Sequence, residues 1–411
     1  MRNTIFVSAA LLLFSLNVGA HGAPISAYQA KPVLADLALL KQAQIPVLYS
    51  NPETGVGYAI LTPTSEQRLS ELAHGLGRCG GFESLEMSEN PLNEVISSVH
   101  SMALQNKKAN LYSAVSIRQV QFENKPEIQN AISQLRSDNL KSWVQWMSNF
   151  PSRYNKAQDP NVHVRALAEK LNALIQEKNI QGASVDLIDH KSTKQKSIRF
   201  HLEGSVHPDE IIVLGGHFDS IAQYGFGSRA PGADDNASGS SNLLEVLRVL
   251  LGQTRPERTV EFFWYAGEES GLLGSAEIAK SYKEQNKNVI AALQLDMTLF
   301  PGAGATRFGL MTDFTSPWLR DVLKGLNATY VGAEAIESQC GYGCSDHASW
   351  HRQGFPAVIP FEATMDTMNH SIHTEKDLIT ASSDFEHSLL FSKLALAFAM
   401  ELGNSSSQQP F

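Results

Sequence analysis

Residues 211–220 read IIVLGGHFDS and residues 232–239 read GADDNASG. The apolar run Ile211–Leu214 ends in two glycines, and His217 and Asp219 follow, with Phe218 between them facing the other way. So short and evenly apolar a run reads as a buried strand of a parallel sheet rather than a surface helix. Ligands of open α/β sheets gather beyond the carboxyl ends of such strands, which puts His217 where a site would be built. Asp219, two residues on, is placed to reach back to the second imidazole nitrogen and fix its tautomer. Asp234 and Asp235 precede Ser238-Gly239 and a helical pattern over Leu243–Leu251, so they fall at a helix N-terminus. A single histidine after a strand is commonly structural, and by itself His217 decides nothing.

The arrangement repeats. The run Val260–Tyr265 ends in Gly267-Glu268-Glu269, Ile290–Leu295 ends in Asp296, and Ala357–Phe361 leads into a loop carrying His373. Strands that merely end at a surface would show a mix of Lys, Ser, Asn and Thr, with no bias toward metal ligands. Two histidines and at least three carboxylates converging on one sheet edge are the inventory of a dinuclear Zn2+ site. Strand–helix alternation after residue 211 sets the class as α/β, with a mixed, mainly parallel central sheet flanked by helices.

In order and approximate separation, six motifs resemble those of the secreted bacterial leucyl aminopeptidases: GGHFDS (215–220), PGADDNASG (231–239), YAGEESGLLGS (265–275), ALQLDM (292–297), CGYGCSDHASWH (340–351) and IHTEKDL (372–378). These belong to the zinc-exopeptidase group that also holds glutamate carboxypeptidase and transferrin-receptor-like domains. The resemblance covers roughly Ile128–Gly403 and implies a zinc-exopeptidase, phosphorylase/hydrolase-like fold with two Zn2+ ions. It implies that Asp235 bridges the ions, that His217 and Asp296 hold one, and that Glu269 and His373 hold the other. Glu268 is then unligated and acts as general base toward a hydroxide bridging the metals.

The chemistry agrees with each role. A carboxylate can bridge ions about 3.5–4 Å apart, and two cations bring a shared water toward a pKa of about 7. A free carboxylate beside that water can take its proton and pass it to the leaving amine. The residues alone leave open which of the adjacent glutamates is ligand and which is base; the resemblance makes Glu269 the ligand. It also implies a cis peptide between Asp235 and Asn236, and a disulfide between Cys340 and Cys344. In an exported chain with three cysteines, a disulfide is favoured over a zinc pair.

At 411 residues and 43% hydrophobic, the chain has material for one large core or two domains. A net charge of −9 argues against a nucleic-acid partner, and no basic run suggests an anionic membrane surface. Residues 1–20 read as a signal peptide: Arg2, the apolar segment Ile5–Leu16, and a small-residue cleavage site at Val18-Gly19-Ala20. No later stretch reaches 18 apolar residues, so no membrane span is expected.

Residues 21–125 lack the metal-type constellation. Strands are expected at Val47–Tyr49 and Gly57–Leu61 and a helix over Ser65–His74. The position suggests a pro-segment that assists folding or covers the site until removed; the alternative is an accessory domain kept in the mature protein. Lys107-Lys108 and the loop at Asn124-Lys125-Pro126 are plausible processing sites, and Cys79 would leave with the segment. The catalytic domain is expected over 126–403. Helices are read at Ile128–Leu135, Ser142–Phe150 and His163–Glu177, with Arg153-Tyr154 between the last two. Val185–Ile188 and Ser197–Leu202 read as antiparallel edge strands, and residues 404–411 as a polar tail.

Ser345, Asp346 and His347 are sequential neighbours and cannot converge as a catalytic triad must, and no G-x-S-x-G elbow occurs. Tyr342, inside the Cys340–Cys344 loop, could donate its hydroxyl to an oxyanion; it reads equally as a rim aromatic. The resemblance places Met297, Phe361, Met365, Met368 and Ile372 around the pocket for the first side chain, although plain core packing suits Met297 and Ile372 as well. Methionine at 365 and 368, where relatives carry aromatic rings, suggests a tolerant pocket suited to Leu, Met or Phe. Asp366 or Glu362 would greet a Lys or Arg if either points inward.

The expectation is therefore an exported, monomeric two-zinc aminopeptidase acting on peptides with a free N-terminus and an apolar first residue. The alternatives are a broad or basic-residue preference, or a carboxypeptidase or dipeptidase using Arg229 or Arg352 for the substrate carboxylate. A non-enzymatic binding relative would have lost metal ligands, whereas all five ligand positions and Glu268 are present.

Overall fold

A computed structural model describes residues 31–51, 55–76, 81–85, 122–222, 229–302 and 304–404. The expected signal peptide, Cys79, the Lys107-Lys108 pair and all but the first residue of the C-terminal tail lie outside the described residues.

The N-terminal unit is a small antiparallel sheet of β1 (Lys31–Asp36), β2 (Tyr49–Asn51), β3 (Val56–Leu61) and β4 (Phe82–Ser84), in the order β2-β3-β1-β4. The helix Pro63–Gly75 lies where periodicity places it, and turns Leu69 and Ala73 onto Val33, Ala35, Ala59 and Leu61. Strand β1 was not anticipated, and the strand expected at Val47–Tyr49 begins only at Tyr49.

The larger unit adds β5 (Ala183–Ile188), β6 (Ser197–Leu202), β7 (His207–His217), β8 (Arg258–Tyr265), β9 (Asn288–Gln294), β10 (Arg307–Met311), β11 (Glu334–Ser338), β12 (Ala357–Val358) and β13 (Pro360–Phe361). Its central sheet runs β12-β9-β7-β8-β6-β5. The first four are mutually parallel, β6 runs antiparallel to β8 and β5 antiparallel to β6 at the edge, the mixed, mainly parallel sheet that alternation implies. The run Ala357–Phe361 is not one strand. Ala357–Val358 pairs with β9, whereas Pro360–Phe361 pairs with β10 in a second, three-stranded sheet. Pro360 has no N–H to carry on a ladder, so the chain changes sheets there.

Every residue of β8 is buried. On one face of the sheet, helices Ala237–Leu250 and Phe385–Gly403 pack Leu243, Leu247, Leu394 and Phe398 against Leu214, Phe262 and Leu293. On the other, helices Leu273–Glu284 and His347–Arg352 bring Ile278, Tyr282 and Trp350 onto Val213, Phe263 and Tyr265. At about 1.5–3 kcal/mol for each large apolar side chain fully buried, these two layers dominate the stability of the unit. Pro126 starts the helix Pro126–Ile132, two residues before the apolar pattern begins, because its fixed φ suits a first turn.

Two glycines bring the sheet's working edge together. A Cβ on Gly216 would lie 2.8 Å from the Leu295 carbonyl, and one on Gly239 only 2.4 Å from it. Only bare backbone lets the end of β7 and the helix Ala237–Leu250 approach the end of β9 so closely.

The N-terminal unit docks beside this edge. Leu34, Val56 and Tyr58 pack on Leu272, Phe314 and Ala348. The Ser84 N–H donates to the Gly271 carbonyl at 3.1 Å, and Glu83 forms a buried ion pair with Arg352. Among the described residues, no helix is long and apolar enough to cross a membrane.

Candidate metal centre

Strands β7, β8 and β9 end side by side, so the chain leaves the sheet three times within one small volume. His217 closes β7; its Nε2 lies 2.9 Å from Asp235 Oδ1 and 3.4 Å from Asp296 Oδ1. Asp235 sits on the turn before the helix Ala237–Leu250. There the Asn236 side chain accepts the Gly239 N–H at 2.8 Å, and the Asp235–Asn236 peptide is cis. The other oxygen of Asp235 is 2.8 Å from His373 Nε2, which lies 3.2 Å from Glu269 Oε2. Ligand atoms thus fall into two buried sets, His217/Asp235/Asp296 and Asp235/Glu269/His373, each spanning no more than 4.8 Å. Asp235 belongs to both. Imidazole and carboxylate donors in this number suit zinc, and one shared carboxylate suits a pair of cations.

A test of fit is whether the donors are already used up. Glu268 Oε2, Glu269 Oε1 and Asp296 Oδ1 are buried without a hydrogen-bond partner. Buried carboxylate oxygens facing no donor are costly unless a cation or a proton joins them. The residues present therefore fit a metal centre.

The surrounding contacts give Asp219 more partners than the sequence suggests. The nearest group to His217 Nδ1 is the backbone carbonyl of Asp219, at 3.2 Å, with its carboxylate at 3.5 Å. That carboxylate also accepts the N–H groups of Glu268 (3.0 Å) and Glu269 (3.3 Å) on the turn following β8. Asp219 thus approaches the imidazole with both its main-chain carbonyl and its carboxylate, and the same carboxylate sets the two glutamates. Two contributors escaped the sequence reading although both lie inside quoted motifs. Ser345 Oγ donates to Asp296 Oδ2 at 2.6 Å, and the Asp377 carboxylate accepts the N–H groups of Asp234 and Asp235 at 2.9 and 3.0 Å. Neither residue type is distinctive at such a place until the fold brings it there.

Electrostatics follow from burial and crowding. Burial, then the charge of Asp235, raises Glu269 to about 7. Burial also pushes Glu268 well up, with Glu269, Asp346 and Asp296 adding to it against the opposing pull of His217. For His373 burial works downward, but Glu269 and Asp235 outweigh it and the imidazole is pushed up to about 10. A bound cation would take the place of that proton, so uptake should release protons.

Beside Asp296 and Met297 lies a pocket lined further by Met311, Tyr342, Cys344, Ser345, Ile359, Phe361, Met365 and Met368. Four of the five expected pocket residues line it; Ile372 packs in the same hydrophobic cluster but is not among the lining residues. Met311 and Ile359 were missed because they belong to the second sheet and the crossing into it. Tyr342 is nearly buried, in the loop closed by the Cys340–Cys344 disulfide. Glu362 does not face the pocket: its oxygens accept the N–H groups of Phe300 and Asn369, both at 2.8 Å. Asp366 is exposed and outside the lining, Arg229 is exposed, and Arg352 is committed to Glu83. Among the described residues, none of the N-terminal unit lines the pocket.

The pattern defining Peptidase family M28 matches residues 198–397. A probable leucine aminopeptidase of Trichophyton verrucosum (strain HKI 0517) is 39% identical over 286 residues, covering 68% of this chain and 77% of the relative. Leucine aminopeptidase 1 of Trichophyton equinum is 37% identical over 284 residues, covering 66% and 75%. These relatives are fungal, and the expected resemblance to bacterial enzymes gains no support from them. Among solved structures, the Legionella pneumophila LapA aminopeptidase superposes with a TM-score of 0.74 at 27% identity, covering 92% of this chain and 99% of that one. LapB of the same organism superposes at 0.75 with 23% identity, a likeness of fold alone. With its ligand sets on one sheet edge and relatives this similar over most of their length, the chain belongs to peptidase family M28.

Proposed function

We propose that this protein is an exported two-zinc aminopeptidase that removes single apolar residues from the N-termini of peptides, acting as a monomer. The observation that carries the reading is the pair of buried ligand sets meeting at Asp235, with Glu268 beside them and an apolar pocket opening next to Asp296. His217 and Asp296 would hold one ion, Glu269 and His373 the other, and Asp235 both. When bound, the ions supply Lewis acidity that polarises the scissile carbonyl and brings the pKa of water toward about 7. Glu268 takes the proton from the attacking water and passes it to the leaving amine. Tyr342 donates its hydroxyl toward the carbonyl oxygen as charge develops there. The carboxylate-rich edge reads the substrate's free α-amine, and the methionine-lined pocket takes a first side chain such as Leu, Met or Phe. The positions of Glu362 and Asp366 speak against a basic preference, and that of Arg352 against a carboxypeptidase.

The proposed order along the chain is a signal peptide at 1–20, a pro-segment at 21–125, the catalytic domain at 126–403 and a tail at 404–411. The separate small core of the N-terminal unit and its grip on the Gly271 and Arg352 regions support a segment that braces the rim during folding. N-terminal sequencing of the secreted protein tests it: a mature chain starting near residue 21 would make the unit permanent.

The activity is tested with a panel of aminoacyl reporters, with and without chelator, beside one N-acetylated and one C-amidated peptide. Chelator-sensitive release from Leu, Met and Phe reporters and from the amidated peptide is expected. Cleavage of the acetylated peptide alone would overturn the reading.

A further inference from the structure

Arg153 follows the helix Ser137–Ser148 and is wholly buried, at 0% exposure. Its guanidinium donates to four backbone carbonyls: Nε to Phe218 (3.0 Å), Nη1 to Met147 (3.1 Å) and Pro231 (2.7 Å), and Nη2 to Gly232 (2.9 Å). Phe218 directly follows His217. Gly232 opens the turn that carries Asp235, and its carbonyl also accepts the Ala237 N–H at 3.0 Å, which closes that turn. The fork therefore fixes the two chain segments on which His217 and Asp235 stand. The main chain of the same residue reaches a third. The Arg153 carbonyl accepts from Gln195 Nε2 at 2.9 Å, and Gln195 Oε1 accepts the Gly267 N–H at 2.9 Å, immediately before Glu268 and Glu269.

Carbonyls can be anchored by neutral donors without the hydration lost when a cation is buried. A guanidinium at this place needs a further reason, and the carboxylates supply it. Its bonded partners are all carbonyls, yet Asp377, Asp219, Asp235 and Glu269 act on it through space and oppose the loss of charge that burial favours. Asp377 grips the amides of Asp234 and Asp235 as well. A permanent cation behind the ligand edge reduces repulsion among the carboxylates and keeps their spacing, and a rigid fork does this better than a flexible ammonium.

We propose that Arg153 is a positioning residue for the two-ion site, holding His217 and Asp235 at ligand spacing and offsetting the charge of the surrounding carboxylates. This rests on the two-zinc reading given above. The test uses the full chain with Arg153→Lys, which keeps the charge and loses the fork, and Arg153→Met, which loses both. Zn2+ affinity is measured by competition with a chromophoric chelator, thermal unfolding is followed in excess chelator, and kcat and KM are read at saturating Zn2+. The Met variant should bind Zn2+ about 10–100-fold more weakly than the parent, and the Lys variant should fall between them, with KM little changed. A merely structural role would lower the unfolding temperature in chelator and leave the Zn2+ affinity of the folded protein as it was; that result overturns the proposal. If the Met variant does not fold, the Lys variant decides alone, and parental affinity in it refutes the role. A parent chain that takes up no Zn2+ would instead defeat the two-zinc reading itself, and this inference with it.

Discussion

Strand β8 carries glutamates into two buried clusters of opposite character. Glu261, in the middle of the strand, has Oε1 2.9 Å from His201 Nδ1 and accepts the Tyr282 hydroxyl on Oε2 at 2.6 Å. Arg199 lies 3.6 Å from it and is itself bonded to Asp186. Glu268 and Glu269, just past the end of the same strand, are as deeply buried, at 2% exposure each against 2% for Glu261. They face other carboxylates as well as the His217 and His373 imidazoles, and each leaves an oxygen without a hydrogen-bond partner. Burying a carboxylate costs solvation in both places. At Glu261 the protein offsets that cost from within; past the strand end it relies on something brought from outside. The number of acidic residues does not separate a structural network from a site; the lone pairs left over do.

The sharpest way to break this contrast is to remove a glutamate from each cluster. Glu268→Ala should lower kcat by about 10²–10⁴-fold while zinc content, measured by elemental analysis, stays at the parental level. Near-parental turnover would move the base to another residue and remove the asymmetry between Glu268 and Glu269. Next in size is Asp219→Asn. The substitution loses a carboxylate that accepts both glutamate amides, so Zn2+ affinity should fall about 10–100-fold in a chelator competition. Unchanged affinity would mean that the turn holds its shape without it. Glu261→Ala should do the reverse of Glu268→Ala. It strands the Tyr282 hydroxyl and the His201 imidazole, costing about 1–3 kcal/mol in denaturant unfolding, with kcat of the folded enzyme unaltered. A matching fall in kcat would show that the two clusters are one.

The same contrast explains what could be read in the sequence. His217, Glu269 and Asp296 were legible as candidates because each stands at or just past the end of an apolar run of strand length, and such ends gather on one edge of a parallel sheet. Asp235, on a turn at a helix N-terminus, and His373, in a loop, were candidates by residue type, and the resemblance assigned all five their roles. The central sheet and its antiparallel edge were legible for the same reason. Met311 and Ile359 were not, since apolar residues carry no mark that distinguishes a pocket wall from a core, and the three-stranded sheet that presents them depends on pairing between distant segments. The split of Ala357–Phe361 between two sheets was hidden likewise, Pro360 being its one local sign. The ordering of Glu268 and Glu269 came from resemblance alone. The Asp219 carboxylate lies within 3.5 Å of His217 Nδ1, but its two amide partners, 49 and 50 residues away, had no sign in the sequence. A side chain with four lone-pair sites can serve more partners than proximity along the chain suggests.

Glu277 tests the middle of the range between the two clusters. It stands on the helix Leu273–Glu284, just beyond the site turn, partly open to solvent, and accepts the N–H groups of Lys191 (2.9 Å) and Ser192 (2.8 Å). Its burial works to raise the pKa, but the bonds from His190, Ser192 and the two amides outweigh it and bring it down to about 2 from an unfolded value of 4.5. A carboxyl depressed on folding stabilises the protein above its unfolded pKa, and the gain is lost as pH falls toward the folded one. Glu277→Gln should therefore be slightly less stable than the parent at pH 7. The gap should narrow as pH drops below about 4.5 and close near pH 2, as followed by urea unfolding of the two proteins in parallel. Solvent screening keeps the effect the smallest of the four, and kcat should not move. A gap that stays constant down to pH 2 would mean that Glu277 holds the 190–192 loop by shape rather than by charge, which would align it with neither cluster.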